Sequence, residues 1–267
     1  MIARVLIIAG SDSGGGAGIQ ADIKAVSALG GHAMTAITAI TAQNTLGVSA
    51  VHPVPTDMVL AQMEAVVSDI GVDAVKIGMI GSARTAQAVA ERLEQLGGVP
   101  IVFDPVMVAT SGSALADADT IAAFARLMRI ATLTTPNLPE LAALGGEGAV
   151  LAQARALLVK GGHGTSDLLT DRLIEADGTE TIWQDARIDT PHTHGTGCTL
   201  GSAIATGLAQ GMSLPDSITR ARNYVRAALS CAPGLGQGHG PMGFPVSVFS
   251  PHGEIAVPAL SPSDKNS

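Results

Sequence analysis

Aromatic side chains are nearly missing from this chain, at 2% of 267 residues, and charged residues reach only 14%. With 46% hydrophobic residues, the core has to be built from Ala, Val, Ile, Leu and Met, which suits close packing of helices on a sheet. Positive charge is scarce as well. Four lysines and eleven arginines lie scattered in a chain of net charge -8, so there is no basic field for a phosphate backbone and nucleic acid is excluded as a partner. Only two cysteines occur, Cys198 and Cys231, 33 positions apart and outside any CxxC or Cys/His zinc spacing. Free thiols and a cytoplasmic location are expected. No apolar run approaches the roughly 20 residues that span a bilayer. The longest early one, Val5 to Ala9, is too short even for a leader peptide, so it reads as a buried first strand and no membrane partner is expected. A Walker A motif is also missing, since no Lys stands between Gly and Ser or Thr.

Short runs rich in Val and Ile alternate with longer Ala-rich stretches of helical period. Val5 to Ala9, Ala74 to Ile77, Ile101 to Phe103 and Leu157 to Val159 read as strands. Met58 to Ile70, Thr85 to Leu96, Asp119 to Ile130 and Leu214 to Leu229 read as helices. This alternation predicts an α/β fold, a mostly parallel sheet with helices on both faces. Residues 1–250 read as one domain, followed by a tail, 251–267, expected to be poorly ordered. Ala33 to Thr41 alternates with period two and reads as a strand with one polar face.

In this fold class ligands bind beyond the carboxyl ends of the strands, so the residues there carry the functional signal. Strand one runs into Gly10-Ser-Asp-Ser-Gly-Gly-Gly-Ala-Gly18. A dinucleotide fingerprint fits it poorly, because no Asp or Glu follows at the distance a ribose ligand needs. A flexible turn before a helix and a loop that closes around a small substrate both stay open. His194-Gly-Thr-Gly-Cys-Thr199 precedes an Ala-rich helical stretch, so its amides and helix dipole would face an anion. The same position lowers a thiol pKa, which makes Cys198 partly ionised and able to accept a proton. Asn137 and Glu140 stand three apart across Asn-Leu-Pro-Glu, where helix capping is the ordinary reading. With Asp104 from a neighbouring strand end, they would also suit a hydrated Mg²⁺ beside phosphates. Lys160, before Gly161-Gly162, could meet a nucleotide phosphate as a point charge.

Seven ordered segments carry a resemblance that spans about residues 4–230. They are Ala9 to Asp22, Thr38 to Thr45, Val75-Lys-Ile-Gly-Met79, Asp104-Pro-Val-Met-Val108, Thr135-Pro-Asn-Leu-Pro-Glu140, Val159-Lys-Gly-Gly-His163 and His192 to Thr199. Together they resemble the ribokinase-like kinases, and among them the hydroxymethylpyrimidine/phosphomethylpyrimidine kinases of thiamine biosynthesis. The resemblance implies ATP as co-substrate, Mg²⁺ as cofactor and a homodimer. It implies that Gln43 hydrogen-bonds an aminopyrimidine edge while Gly10, Met79 and Val106 pack around the ring. It further implies that Asp104, Asn137 and Glu140 serve the metal, that Lys160 and Asn137 serve the nucleotide, and that Gly195, Thr196 and Gly197 form the anion hole with Cys198 as base. The wider superfamily carries Asp where this chain has Cys198; Cys is the pattern of the pyrimidine branch and of some bacterial pyridoxal kinases. A pyridoxal or pyridoxine kinase is therefore the competing enzyme, and a non-catalytic binding module for a vitamin precursor is the competing class.

Overall fold

A computed structural model describes residues 1–109, 112, 115–163, 167–245, 248–249 and 255–256. In chain order the elements are β1 (Ala3–Asp12), α1 (Gly18–Ala28), β2 (Gly31–Asn44), β3 (Gly47–Pro53), α2 (Thr56–Asp69), β4 (Ala74–Ile77), α3 (Ala83–Leu96) and β5 (Ile101–Phe103). They continue with α4 (Ala118–Ile130), β6 (Leu133–Thr134), α5 (Leu138–Ala143), α6 (Glu147–Leu151), β7 (Ala156–Val159), β8 (Leu168–Glu175) and β9 (Glu180–Ala186). The last are α7 (Thr196–Ala209), α8 (Leu214–Ser230), β10 (Val248–Phe249) and β11 (Ile255–Ala256). The strand and helix runs expected from periodicity are all present, most of the helices starting a residue or two earlier than the apolar pattern does.

Nine strands form one sheet in the order β3-β2-β1-β4-β5-β6-β7-β8-β9. From β2 to β7 the pairing is parallel; β3, β8 and β9 join antiparallel. Successive side chains of a strand point to opposite faces. Leu6 and Ile8 of β1 accordingly join Phe103, Val59, Val89 and Phe124 under α2, α3 and α4. Val5, Ile7 and Ala9 face the other way and pack with Val26, Ile204 and Ile218 of α1, α7 and α8. One edge-to-face aromatic pair, Phe103 and Phe124 at 5.2 Å between ring centres, sits in the first of these clusters.

The two antiparallel edges were not legible as strands, because β3 is largely exposed and β9 alternates without an apolar face. The alternation expected over Ala33 to Thr41 holds as far as Thr38, with Met34, Ala36 and Thr38 buried; it then breaks where the pairing with β1 shifts register, leaving Ala39 buried and Ile40 exposed. Most of the tail 251–267 lies outside the described residues; Ile255–Ala256 pairs antiparallel with Val248–Phe249. Among the described residues, no helix is long and apolar enough to cross a membrane.

Candidate active site

From β1 the chain moves outward to β2 and β3, then returns past β1 to β4, so the strand order reverses between β1 and β4. A reversal of this kind leaves a crevice at the carboxyl ends of the strands. There a cavity of about 810 Å³ opens, and every residue expected in the site lines it. Its lining includes Gly10, Gln43, Met79 and Val106, and Asp104, Asn137, Glu140 and Lys160 with Gly195, Thr196, Gly197 and Cys198. Val225 and Leu229 of α8 and Arg187 line it as well. Those three were missed, since helical period marks an apolar stripe without saying which part of it meets a cavity.

Gly195 caps α7 at φ +88°, and a Cβ there would stand 1.9 Å from the carbonyl oxygen of Gly16. Only glycine allows the turn that opens α7 to rest on the Gly-rich loop. Asp12 accepts from the amides of Gly14 at 2.8 Å, Gly16 at 3.0 Å and Ala17 at 2.8 Å, and so holds the loop against β1. The Gly14, Gly16 and Ala17 amides are thus turned in on a carboxylate.

Asp104 and Lys160 form an ion pair at 2.8 Å, and Thr135 donates to the same Asp104 oxygen at 3.2 Å. A Cβ on Gly197 would lie 3.3 Å from Asp104 Oδ2 and 3.5 Å from Lys160 Nζ, so the pair stands directly against the turn that opens α7. Burial works against the charge on Lys160, yet Asp104 and Glu140 hold its pKa above the usual value. Glu140 is pushed up to about 7, first by burial and then by Asp104, with Lys160 working the other way. Asn137 and Glu140 complete a reciprocal cap of α5: the Asn137 oxygen accepts from the Glu140 amide at 2.9 Å, and Glu140 accepts from the Asn137 amide at 2.8 Å. Capping and cavity lining are thus both met by the same two residues.

Among the described residues no group of three or more His, Cys, Asp or Glu side chains forms a ready metal cage. Mg²⁺ asks for less, keeping several waters and taking one or two carboxylates with the substrate's phosphates. Asp104 and Glu140, two carboxylates close enough to raise the Glu140 pKa, fit that demand.

Cys198 departs from expectation. Burial pushes its thiol up to about 11, and Asp22 and Asp104 act in the same sense, against Lys76 and the Gly18 amide. The helix-start argument predicted a lowered value, but desolvation of a thiolate beside two carboxylates outweighs the dipole.

Two clusters escaped sequence reading, Asp12 with His194 in the cavity lining and Lys76 with Asp22 outside it. Asp12 meets His194 Nε2 at 2.9 Å, and Lys76 meets both oxygens of Asp22 at 2.9 Å with Ser202 donating to the same carboxylate at 2.7 Å. Asp12 had a local signal, an Asp before consecutive glycines, whose side chain readily takes nearby amides. Lys76 and Asp22 had none, being 54 positions apart.

Comparison with known proteins agrees with this geometry. Residues 12–243 match the family described as phosphomethylpyrimidine kinase. The hydroxymethylpyrimidine/phosphomethylpyrimidine kinase of Rhizobium meliloti is 49% identical over 259 residues, 91% of this chain and 97% of that protein. The ADP complex of Bacillus subtilis pyridoxal kinase superposes with a TM-score of 0.83 at 31% identity, covering 91% of this chain and 98% of that one. The phosphomethylpyrimidine kinase of Clostridium difficile 630 does so with a TM-score of 0.74 at 35% identity, covering 85% and 99%. With a nine-stranded, mostly parallel sheet of ribokinase-like form and a cavity at its switch point that gathers the expected residues, this chain belongs to the phosphomethylpyrimidine kinase family.

Proposed function

We propose that this chain moves the γ-phosphoryl group of ATP to the hydroxymethyl oxygen of 4-amino-5-hydroxymethyl-2-methylpyrimidine, and then phosphorylates the monophosphate to the diphosphate, in thiamine biosynthesis. The supporting observation is one cavity lined both by the amide of Gln43 and by the Asp104–Lys160 ion pair and the Gly195 turn. A side-chain amide offers a donor and an acceptor side by side, which an amino group next to a ring nitrogen requires. Gly10, Met79 and Val106 supply apolar walls for the ring.

In each transfer a substrate oxygen attacks the γ-phosphorus, the bond to the bridging oxygen breaks and ADP leaves. The loose transition state needs alignment and charge neutralisation more than covalent help. Lys160 meets the phosphates as a point charge and Asn137 adds a polar contact, while the amides of Gly195, Thr196, Gly197 and Cys198 receive developing negative charge. Asp104 and Glu140, with Asn137 at the rim, would hold Mg²⁺, which when bound offsets charge on the phosphates. The alcohol must also lose a proton, and Cys198 takes it in its ionised form, a form that burial makes scarce near neutral pH.

The likeness to pyridoxal kinases favours one second reading, a pyridine substrate in the same pocket. An assay of ATP consumption with hydroxymethylpyrimidine, its monophosphate, pyridoxal and pyridoxine decides. Turnover of the first two is expected. Preference for pyridoxal moves the chain to the second reading, and no turnover of any of them leaves a binding module. A cytoplasmic location fits the two free thiols, Cys198 and Cys231. A homodimer fits the exposed apolar side chains of Ile40, Leu46 and Val51 along the β2–β3 ribbon, and light scattering on the purified protein tests it.

A further inference from the structure

The end of the Gln43 side chain lies between two groups whose hydrogen-bonding roles are set elsewhere. On one side, the Gln43 oxygen is placed 3.2 Å from Thr41 Oγ1, which is also 2.9 Å from the carbonyl oxygen of Ser11. A carbonyl can only accept, and a hydroxyl has one hydrogen, so that hydrogen goes to Ser11 and Thr41 can only accept from Gln43. On the other side, the Gln43 nitrogen is placed 3.2 Å from His194 Nε2, which is 2.9 Å from Asp12 Oδ2. Asp12 already accepts three backbone amides, and its pKa lies below the usual carboxylate range: burial would raise it, but the contact with His194 and the amides of Ala17 and Gly14 prevail. An ionised carboxylate only accepts, so the single hydrogen of His194 Nε2 goes toward Asp12; a nitrogen in that state has no lone pair left to accept with, so of the two ends of the Gln43 amide only the oxygen, sharing that hydrogen, can bond there, the reverse of the placement above.

Both sides demand the same arrangement of an amide whose oxygen and nitrogen are assigned by their network. We infer that Asp12, His194 and Thr41 hold the Gln43 amide with its oxygen toward His194 and its nitrogen toward Thr41, and that His194 thereby sets the direction in which the substrate ring docks. The inference rests on the reading of Gln43 at the pyrimidine edge.

The consequence lies in the order of groups around the ring. The substrate carries its ring nitrogen, amino group and hydroxymethyl group at consecutive positions. An amide with oxygen on the His194 side pairs with the amino group there and with the ring nitrogen on the Thr41 side. The hydroxymethyl group, next to the amino group, then falls on the His194 side, where Gly195 begins the turn that faces the transferring phosphate. A reversed amide would pair with the ring turned over and its alcohol directed away from that turn. His194 is in these terms a positioning residue, acting on the substrate through Gln43.

A double-mutant cycle on the full chain tests this, with binding of hydroxymethylpyrimidine read by calorimetry and KM for ATP read alongside. His194→Phe keeps a ring and removes the donor; Thr41→Val removes the acceptor at the other end and covers the case in which the first variant does not fold. Each should weaken hydroxymethylpyrimidine binding about 5- to 15-fold, the worth of one net hydrogen bond, with KM for ATP unchanged. His194→Gln, which keeps a donor, should recover part of the loss. In a Gln43→Leu background, neither substitution should weaken binding further. Nitrogen NMR of the wild-type imidazole should show hydrogen on Nε2. If Gln43→Leu weakens binding while His194→Phe and Thr41→Val do not, or if the losses simply add, the inference is overturned and the reading of Gln43 stands. If Gln43→Leu has no effect, that reading fails and the docking consequence goes with it. An Nε2 without hydrogen overturns the inference whatever the binding data show.

Discussion

Lys76 Nζ stands 2.9 Å from both carboxylate oxygens of Asp22, with neither side chain exposed to solvent. The pair links β4 to α1 beneath the start of α7, where Ser202 adds a third contact to the carboxylate. Burial opposes the charge on Lys76, but Asp22, with Cys198 and Asp104 beyond it, keeps its pKa above the ordinary value. Breaking such a pair leaves one charge buried without a partner. Lys76→Met should therefore lose about 3–5 kcal/mol of stability by denaturant unfolding. Lys76→Met combined with Asp22→Asn should recover part of it. A single variant as stable as wild type would mean that water reaches the carboxylate.

Lys160→Ala should lower kcat about 10²- to 10³-fold, the usual cost of removing one group aimed at developing charge. It also deprives Glu140 of the cation that works against its raised pKa, so that pKa should climb further above about 7. Wild-type kinetics at saturating ATP and Mg²⁺ would return Lys160 to a purely structural pairing with Asp104.

Glu140 makes stability depend on pH with a definite sign. Its folded-state pKa of about 7 exceeds the ordinary glutamate value, so the folded chain holds the proton more tightly than the unfolded chain does. That contribution is fully present below about pH 4.5 and is lost as pH rises toward 7. Glu140→Gln should flatten this part of a plot of Tm against pH, while reducing turnover strongly. A wild-type Tm that rises over the same interval, with the variant parallel to it, would show that Glu140 is already ionised in the folded state.

Cys198→Ala should separate the two transfers. The alcohol has a proton to lose and the monophosphate oxygen is already ionised near neutral pH, so a base matters chiefly to the first step. Loss of the base should slow the first step by about 10²- to 10⁴-fold and the second far less. With the thiol held up to about 11, the wild-type rate of the first step should also climb steadily between pH 7 and 9, and the variant's slope should be shallower. Equal losses in both steps, or a flat wild-type profile, would assign Cys198 to the anion hole alone.

Much of this molecule was legible as a string. The limits of β4 and β5 coincide with the apolar runs, because buried parallel strands read as continuous Val and Ile. Gly10, Asp104, Asn137, Lys160 and the Gly195 turn could be placed in the site because parallel strands bring their carboxyl ends to one edge of the sheet whatever lies between them. The cap at Asn137 and Glu140 is a matter of three-residue spacing and was visible for the same local reason.

Only the tertiary structure decided the rest. His194 meets Asp12 and Gln43 across 182 and 151 positions, and no periodicity announces a contact between residues so distant. That Asp12 takes three amides of the Gly-rich loop was seen only in the fold. The charge state of Cys198 went against the sequence argument, because a helix start is a local property while desolvation depends on which elements pack around the thiol. Residue type, period and strand-end position were thus set by the sequence itself. Ionisation and hydrogen-bond direction were set by the folded surroundings, since each is the difference between a group's partners in water and its partners in the protein.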